Sequence, residues 1–219
     1  MPTKYGLNIC YDNDDIFEIG IDEAGRGPLF GRVYTAAVIL PKDDSFQHDL
    51  MRDSKKISKK KIKDIAEYIK QNAISWSVTY EDEQTIDKIN IRQSVLKSMH
   101  NSIRNVLDTM DIPSARLLVD GNDFKPFTKI NNGEIEVSSH VTIEGGDNLY
   151  TSIAAASILA KTERDKYIEE LVNDNPFLED RYGIGSNKGY GAKRHMEGIK
   201  EHGITEWHRK TYGICKQYT

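Results

Sequence analysis

The first half of the chain alternates between residue patterns typical of β-strands and of α-helices. Residues 16–21 (IFEIGI) alternate in polarity and residues 33–40 (VYTAAVIL) are almost continuously apolar, which predicts two strands, the second of them deeply buried. Residues 58–71 place Ile and Ala on one face at helical spacing behind Ser58, a candidate N-cap, and predict an amphipathic helix. Strands and helices therefore mix from the start of the chain, as in an α/β protein.

The second half continues this mixture. The residues from Asn148 to Asp174 are rich in Ala, Leu, Glu and Lys and apolar on more than one side at first, which predicts a long helix with a buried beginning. The further predicted elements are a strand at 73–80, a helix from Gln84 to Leu107, strands at 115–119 and 135–143, and a short helix from about Ala192 to Glu201. We predict a mixed central β-sheet flanked by helices in a domain of residues 1–180, with residues 181–219 packed on it as a small helical section.

The composition excludes disordered and membrane-spanning proteins. With 219 residues, 38% of them hydrophobic and 29% charged, the chain can bury a core, and no apolar run approaches membrane-spanning length. The two cysteines, Cys10 and Cys215, lie near opposite ends and offer no spacing for a metal site or a disulfide framework. Because the N-terminus also lacks the features of a signal or transit peptide, we expect a cytoplasmic protein without a membrane partner.

The net charge argues at first against a nucleic-acid partner, but its distribution along the chain does not. Lys and Arg number 30 against 34 Asp and Glu, a formal charge of -4. Residues 11–50 hold nine acids and three bases, whereas residues 51–63 hold seven bases and one acid, and residues 181–219 eight bases and three acids. Each basic segment is either a solvated face or part of a surface that binds an anionic partner.

Carboxylates stand beside predicted elements at three separate places. Asp22 and Glu23 directly follow the first strand, Asp120 follows the strand at 115–119, and Asp147 precedes the long helix. A surface turn would explain the first pair, and a helix N-cap would explain Asp147. Taken together, with no His or Cys cluster beside them, the acids indicate an all-oxygen site for a hard cation such as Mg²⁺ or Mn²⁺, because carboxylates brought together without a cation repel one another.

The sequence AGRGPL after the first strand combines glycines with a basic residue. It is not a dinucleotide-binding fingerprint, because Phe30 occupies the third glycine position and Pro28 lacks an amide hydrogen. Gly25 and Gly27 would let a backbone approach a ligand closely, and Arg26 could bind a phosphate or balance the carboxylates. The glycines could equally be ordinary turn residues.

At these residues the chain resembles a known family. The run GIDEAGRGPLFGRV closely resembles the signature of ribonuclease HII, the type 2 ribonuclease H. The resemblance continues, in the family's order, through DSKKIS at 53–58, IDKINI at 86–91, LLVDGN at 117–122, GGD at 145–147, SIAAASILAKTERD at 152–165, NKGYG at 187–191 with His195, and HRKTY at 208–212. Because these blocks span nearly the whole chain, the resemblance implies a ribonuclease H-like catalytic domain at residues 1–180 and a substrate-gripping section at residues 181–219.

The resemblance implies an acidic metal site at the positions that match the family's motifs. Asp22, Glu23, Asp120 and Asp147 would bind Mg²⁺ or Mn²⁺, with two ions present during catalysis. Two ions of this kind activate the attacking water and stabilise the charge on the leaving oxygen in phosphodiester hydrolysis.

The resemblance also implies residues that contact the substrate. The turn formed by Gly25, Arg26 and Gly27 would contact the 2′-hydroxyl of a ribonucleotide, and Tyr190 would stack at the deoxyribose that follows it. Without the family context, an amphipathic core tyrosine is the favoured explanation of Tyr190. The basic residues implied as phosphate contacts are Lys55, Lys56, Lys161 and Arg164.

The implied activity is that of an endoribonuclease. It would hydrolyse the RNA strand of RNA–DNA hybrids and cleave on the 5′ side of ribonucleotides embedded in duplex DNA, leaving 3′-hydroxyl and 5′-phosphate ends. We expect it to act as a monomer and to serve in DNA replication and repair. Another ribonuclease H-like nuclease and a non-catalytic hybrid-binding protein remain as alternatives. Arg32 stands where the family usually has proline, and its charge is expected to modify metal affinity or substrate binding.

Overall fold

Strands and helices follow one another along the chain. The computed structural model describes residues 3–4, 6–52, 54, 57–110, 115–131 and 133–218. Its strands and helices are β1 (Glu18–Ala24), β2 (Val33–Ile39), α1 (Lys59–Asn72), β3 (Ser75–Glu81), α2 (Glu83–Ile89), α3 (Ile91–Met110), β4 (Arg116–Asp120), β5 (Thr128–Asn131), β6 (Glu134–Val137), β7 (His140–Ile143), α4 (Thr151–Asp174), α5 (Phe177–Tyr182), α6 (Ile184–Asn187) and α7 (Lys193–His202).

A five-stranded mixed sheet in the order β3-β2-β1-β4-β7 forms the centre of the molecule. The strands β3, β2 and β1 are antiparallel neighbours, whereas β4 is parallel to β1 and β7 is parallel to β4. Because Ile21 pairs with Val119 in the parallel ladder, the next residues, Asp22 and Asp120, lie at the same edge of the sheet. The predicted mixed sheet flanked by helices is confirmed.

Helices cover both faces of this sheet. α4 and α1 pack on one face, where they meet Ala36 and Val38 of β2, and α3 packs on the other, where it meets Ala37 and Ile39. Successive residues of β2 thus point to opposite hydrophobic layers, which explains why this strand is apolar throughout. Gly20 in β1 lets α4 come close, because a Cβ there would collide with the helix backbone.

Two strands differ from their predicted bounds. β1 continues through Asp22 and Glu23 to Ala24, so these acids end the strand instead of following it. The single strand predicted at 135–143 is two strands, because β6 pairs with β5 while β7 joins the central sheet beside β4.

The single helix predicted from Gln84 to Leu107 is also wrong. Asn90 interrupts it with a positive φ of 65°, and its side-chain oxygen accepts the amide hydrogen of Gln93 at 3.1 Å. This capping bond begins α3 as a new helix. Ser58 occupies the N-cap position of α1, as predicted, but makes no capping hydrogen bond.

The long helix begins later than predicted. A short 3-10 helix, Gly146–Asn148, precedes α4, whose N-cap position is occupied by Tyr150 without a side-chain capping bond. The explanation of Asp147 as the N-cap of the long helix is therefore wrong, and the carboxylate needs another account.

The C-terminal section shares hydrophobic contacts with the rest of the chain. Ile199 of α7 and Cys215 belong to one buried cluster with Phe30 and Ile168, which lie far earlier in the sequence. The predicted boundary after residue 180 falls inside α5, and the division into two parts stays a prediction.

Among the helices that the structure describes, none is long and apolar enough to cross a membrane.

Candidate active site

The predicted site residues that the structure describes line one pocket of about 610 Å³. It collects residues from the ends of β1 and β4, the 3-10 helix before α4, one face of α4 and the loop after α6. The predicted residues in its wall are Asp22, Glu23, Gly25, Arg26, Gly27, Asp120, Asp147, Lys161, Arg164 and Tyr190. Lys55 and Lys56 lie outside the described residues.

Hydrogen bonds hold three of the acidic side chains at the floor of this pocket. An oxygen of Asp22 accepts the amide hydrogen of Glu23 at 2.7 Å, and an oxygen of Asp120 accepts that of Gly146, also at 2.7 Å. The Asp147 carboxylate accepts a hydrogen bond from the Asn148 side chain at 2.8 Å. The parallel pairing of β1 with β4 and the 3-10 helix thus bring acids together that are up to 125 positions apart, from Asp22 to Asp147.

Burial and mutual repulsion make this acidic cluster costly without a cation. Burial, and after it the negative charges of Glu23 and Asp120, raise the pKa of Asp22 well above its usual value. Burial also raises the pKa of Glu23, against the opposing effect of Arg26, whose guanidinium lies 3.5 Å from the Glu23 carboxylate. Asp22 and Asp147 are each only 6% exposed. Such shifts mark a site that favours positive charge.

The donor set of the pocket fits a hard divalent cation by its chemistry. All four acids offer carboxylate oxygens, which Mg²⁺ and Mn²⁺ prefer. Within the described part of the chain, however, no three His, Cys, Asp or Glu side chains are arranged so that they could hold a metal ion as they stand.

The Gly-Arg-Gly turn is held from behind by Arg209, a residue to which the sequence patterns assign no role. Its fully buried guanidinium donates to the carbonyl oxygens of Gly25 at 2.6 Å, Arg26 at 3.0 Å and Gly31 at 2.8 Å. Burial lowers the pKa of Arg209 to about 10. Since the peptide bonds are trans, the amide hydrogens of Arg26 and Gly27 point away from the guanidinium.

Arg164, which the resemblance implies as a phosphate contact, is a buried residue of the pocket wall. It is 3% exposed, and its guanidinium donates to the carbonyl oxygens of Lys188 at 2.8 Å and of Phe30 and Arg32 at 3.4 Å each. It thus ties the loop after α6 to the segment that follows the Gly-Arg-Gly turn. Gly25, at a φ of 93°, leaves the space for its side chain.

Tyr190 lies at the surface of the pocket. Its side chain is 51% exposed, so the alternative of a core tyrosine is wrong. A Cβ added to Gly27 would lie 3.7 Å from the Tyr190 ring, which places the ring directly beside the Gly-Arg-Gly turn. Lys161 faces the same pocket from α4 and lies 3.7 Å from Asp165 one turn later.

Two serines of the pocket have no predicted role. The hydroxyl oxygens of Ser54 and Ser157 lie 3.3 Å apart, and Ser157 also hydrogen-bonds the Asp22 carboxylate. These contacts connect Ser54 to α4 and to the Asp22 carboxylate. Serine is common in loops and helices alike, so only the fold identifies these two.

Arg32 has partners away from the pocket wall. Its guanidinium lies 4.2 Å from the centre of the Tyr80 ring and 4.4 Å from that of Tyr167, a cation between two aromatic faces. It is not among the pocket-lining residues, and its effect on metal affinity or substrate binding stays a prediction.

Known proteins provide an independent comparison. The family model described as ribonuclease HII matches residues 19–214. A ribonuclease HII from Bacteroides thetaiotaomicron is 42% identical over 204 residues, which cover 93% of each chain. The solved ribonuclease H2 from Pyrococcus horikoshii OT3 has a TM-score of 0.72 at 21% identity, covering 93% of this chain and 97% of that one. Bst-RNase HIII in complex with Mn²⁺ has a TM-score of 0.71 at 20% identity, covering 99% of this chain and 72% of that one. These two solved structures share the fold.

Proposed function

The chain belongs to the ribonuclease HII family and is a type 2 ribonuclease H, and from this premise we propose its substrates and the roles of its residues. It hydrolyses the RNA strand of RNA–DNA hybrids and cleaves on the 5′ side of ribonucleotides embedded in duplex DNA, leaving 3′-hydroxyl and 5′-phosphate ends. The carrying observation is that the four acids, the Gly-Arg-Gly turn and Tyr190 line one pocket.

The acidic floor is the proposed place of hydrolysis. Asp22, Glu23, Asp120 and Asp147 would hold Mg²⁺ or Mn²⁺, with two ions during catalysis; the Mn²⁺ complex of the structurally similar Bst-RNase HIII supports a divalent metal. Bound there, such ions supply water activation and charge stabilisation at the leaving oxygen. Burial, and after it repulsion from neighbouring acids, raises the pKa values of Asp22 and Glu23, and this supports the assignment because a bound cation would favour their charged forms.

The Gly-Arg-Gly turn is the proposed reader of the 2′-hydroxyl. With its carbonyls fixed on Arg209, the turn presents the amide hydrogens of Arg26 and Gly27 on its other side, where a hydroxyl oxygen can accept them. A deoxyribose has no oxygen at that position, so the turn distinguishes the two sugars. The buried cation also polarises the peptide groups that it binds, which strengthens their amides as donors.

Tyr190 and the basic residues complete the proposed contacts. The exposed ring of Tyr190, beside Gly27, can lie against the sugar that follows the ribonucleotide. Lys161 offers a charge to the phosphates from the pocket wall, as Lys55 and Lys56 are expected to do. Arg164 would act mainly by holding the segment after the Gly-Arg-Gly turn against the loop after α6, because its guanidinium already donates to backbone carbonyls of both.

The proposed function is tested with a duplex that carries one ribonucleotide. The double variant Asp22→Asn with Asp120→Asn should lose at least about 1000-fold in Mg²⁺-dependent cleavage and still bind the duplex, since the contacts outside the acidic floor remain. The matched control is Asp108→Asn with Asp174→Asn, which makes the same charge change at exposed positions outside the pocket and should cleave like the wild type.

The result also separates the remaining alternatives. Cleavage retained by the acidic double variant would contradict the metal site. A wild-type chain that binds the duplex without cutting it would point to a hybrid-binding protein. A chain that cuts the same duplex without its ribonucleotide equally well would point to another nuclease.

A further inference from the structure

Two buried histidines next to the pocket are not used by the proposed mechanism. His195 of α7 is 0% exposed and His208 is 1% exposed. Their Nε2 atoms lie 3.1 Å apart, which is hydrogen-bond distance, so one ring must donate and the other accept.

The backbone determines which ring donates. The amide nitrogen of Thr205, which can only donate, lies 2.9 Å from Nδ1 of His208, so this nitrogen carries no hydrogen. His208 therefore carries its hydrogen on Nε2 and donates to Nε2 of His195. His195 must then carry its hydrogen on Nδ1, which lies 2.8 Å from the carbonyl oxygen of Tyr190.

The contacts thus form a directed chain from Thr205 through His208 and His195 to the backbone of Tyr190. Each ring is neutral and has one fixed tautomer, because protonation at the accepting nitrogen of either ring would place two donors against each other. The apolar surroundings agree with neutral rings: Phe30 contacts both imidazoles edge-on, at centroid distances of 6.3 Å from His195 and 5.0 Å from His208.

The same segment also supports the Gly-Arg-Gly turn. His208 forms an isolated antiparallel bridge with Phe30, and the next residue, Arg209, donates its amide hydrogen to Leu29 at 2.8 Å and its side chain to the turn carbonyls. Leu29 in turn donates to the carbonyl of Gly189 at 2.9 Å, directly before Tyr190. Arg209 therefore contacts the Gly-Arg-Gly turn directly, whereas His208 reaches Tyr190 through His195.

We propose that His195 and His208 are positioning residues that set the placement of Tyr190 relative to the Gly-Arg-Gly turn. The fixed spacing selects a ribonucleotide followed by a deoxyribonucleotide, because the 2′-hydroxyl and the next sugar must fit the two elements at once. This inference rests on the proposed function and deepens it. The pair contacts no substrate, so its effect must appear as a change in preference between substrates.

Two substitutions of His195 distinguish its hydrogen bond to Tyr190 from its hydrogen bond to His208. His195→Asn keeps an amide donor near the place of Nδ1 and so keeps the bond to Tyr190, whereas His195→Gln places its amide near Nε2 and loses that bond. The measurement is kcat/KM on duplex DNA with one ribonucleotide, divided by kcat/KM on a uniform RNA–DNA hybrid, where no deoxyribose follows the cleaved position.

We expect His195→Gln to lower this ratio about 10-fold and His195→Asn to change it less than about 2-fold. Tyr190→Ala should lower the ratio as His195→Gln does, and combining the two should bring no further loss, because both remove the same contact. Equal losses on both substrates in His195→Gln, or additive losses in the double variant, would overturn the proposal.

A measurement on the wild-type protein tests the proposal even where a variant fails to fold. Nitrogen NMR of the labelled protein should show His208 with its hydrogen on Nε2, His195 with its hydrogen on Nδ1, and a coupling across the Nε2 pair. The opposite tautomers, or a protonated ring at neutral pH, would overturn the directed hydrogen-bond chain from Thr205 to Tyr190 and the proposal with it. If the wild type cleaves neither substrate, the proposed function fails and the inference fails with it; normal cleavage with an unchanged ratio refutes the inference alone.

Discussion

Gly25 shows how a single missing side chain keeps the pocket in shape. Its φ of 93° is unfavourable for residues with a Cβ, and a Cβ there would also collide with the side chain of Arg164. Arg164 cannot move aside without leaving the carbonyl oxygens to which it donates. The glycine therefore matters both for the backbone conformation and for the space that a buried guanidinium needs.

Replacing this glycine separates strain from collision. We expect Gly25→Ala to lower the free energy of unfolding by about 3 kcal/mol, because positive φ and overpacking both contribute, and to lower kcat/KM about 100-fold. Gly133→Ala is the matched control, since Gly133 has a φ of 84° with nothing within 4 Å of an added Cβ, and should cost about 1 kcal/mol. Urea unfolding measures the stability loss of each variant. Equal losses would show that the collision with Arg164 does not contribute to the effect of Gly25→Ala.

At the scale of elements, α4 serves two purposes along its length. Its first turns are buried on all sides between the sheet and α1, as the Ala-rich sequence predicts. Farther along, Ser157, Lys161 and Arg164 lie at spacings of four and three residues, which puts them on one helical face toward the pocket. One rigid helix thus supports the acidic floor and carries the charges beside it.

This face predicts a specific effect of Lys161 on substrate affinity. Lys161→Gln should weaken binding to all duplex sequences alike and reduce the slope of log affinity against log salt by about 1, as the loss of one phosphate contact does. Lys166→Gln removes the same charge from an exposed position of α4 that does not line the pocket. Salt titrations of the dissociation constant compare the two variants, and indistinguishable slopes would argue against a phosphate contact at Lys161.

At the scale of the whole molecule, burial keeps several histidines neutral. Desolvation is the main cause that lowers the pKa of His48, His100, His195 and His208, and for His208 the value falls to about 3. Below pH of about 6.5 the unfolded chain takes up protons at these positions more readily than the folded chain does. Each of them therefore makes the fold less stable as the pH falls through this range.

His208 isolates this effect. Unfolded histidine is mostly protonated below its usual pKa of about 6.5. Between about pH 6 and pH 5 the free energy of unfolding of the wild type should therefore fall by about 1.4 kcal/mol per pH unit more than that of His208→Gln. The variant removes the group that must stay neutral, and His202→Gln, which removes an exposed imidazole, serves as its control. Urea unfolding at each pH gives the slopes, and parallel slopes for the wild type and His208→Gln would contradict a neutral buried ring.

The sequence by itself determined the α/β class, most elements, the family and many of the residues that meet in the pocket, because polarity patterns, strand-end carboxylates and short motifs are local features. The break at Asn90 escaped it, since a capping bond can interrupt a helix whose apolar pattern continues. Only the tertiary structure shows the hydrogen-bond partners of Arg209, His195 and His208 and the buried position of Arg164. Arg209 and Gly25 stand 184 positions apart. A sequence pattern records that a residue is charged, but its partner depends on which distant backbone the fold brings to it.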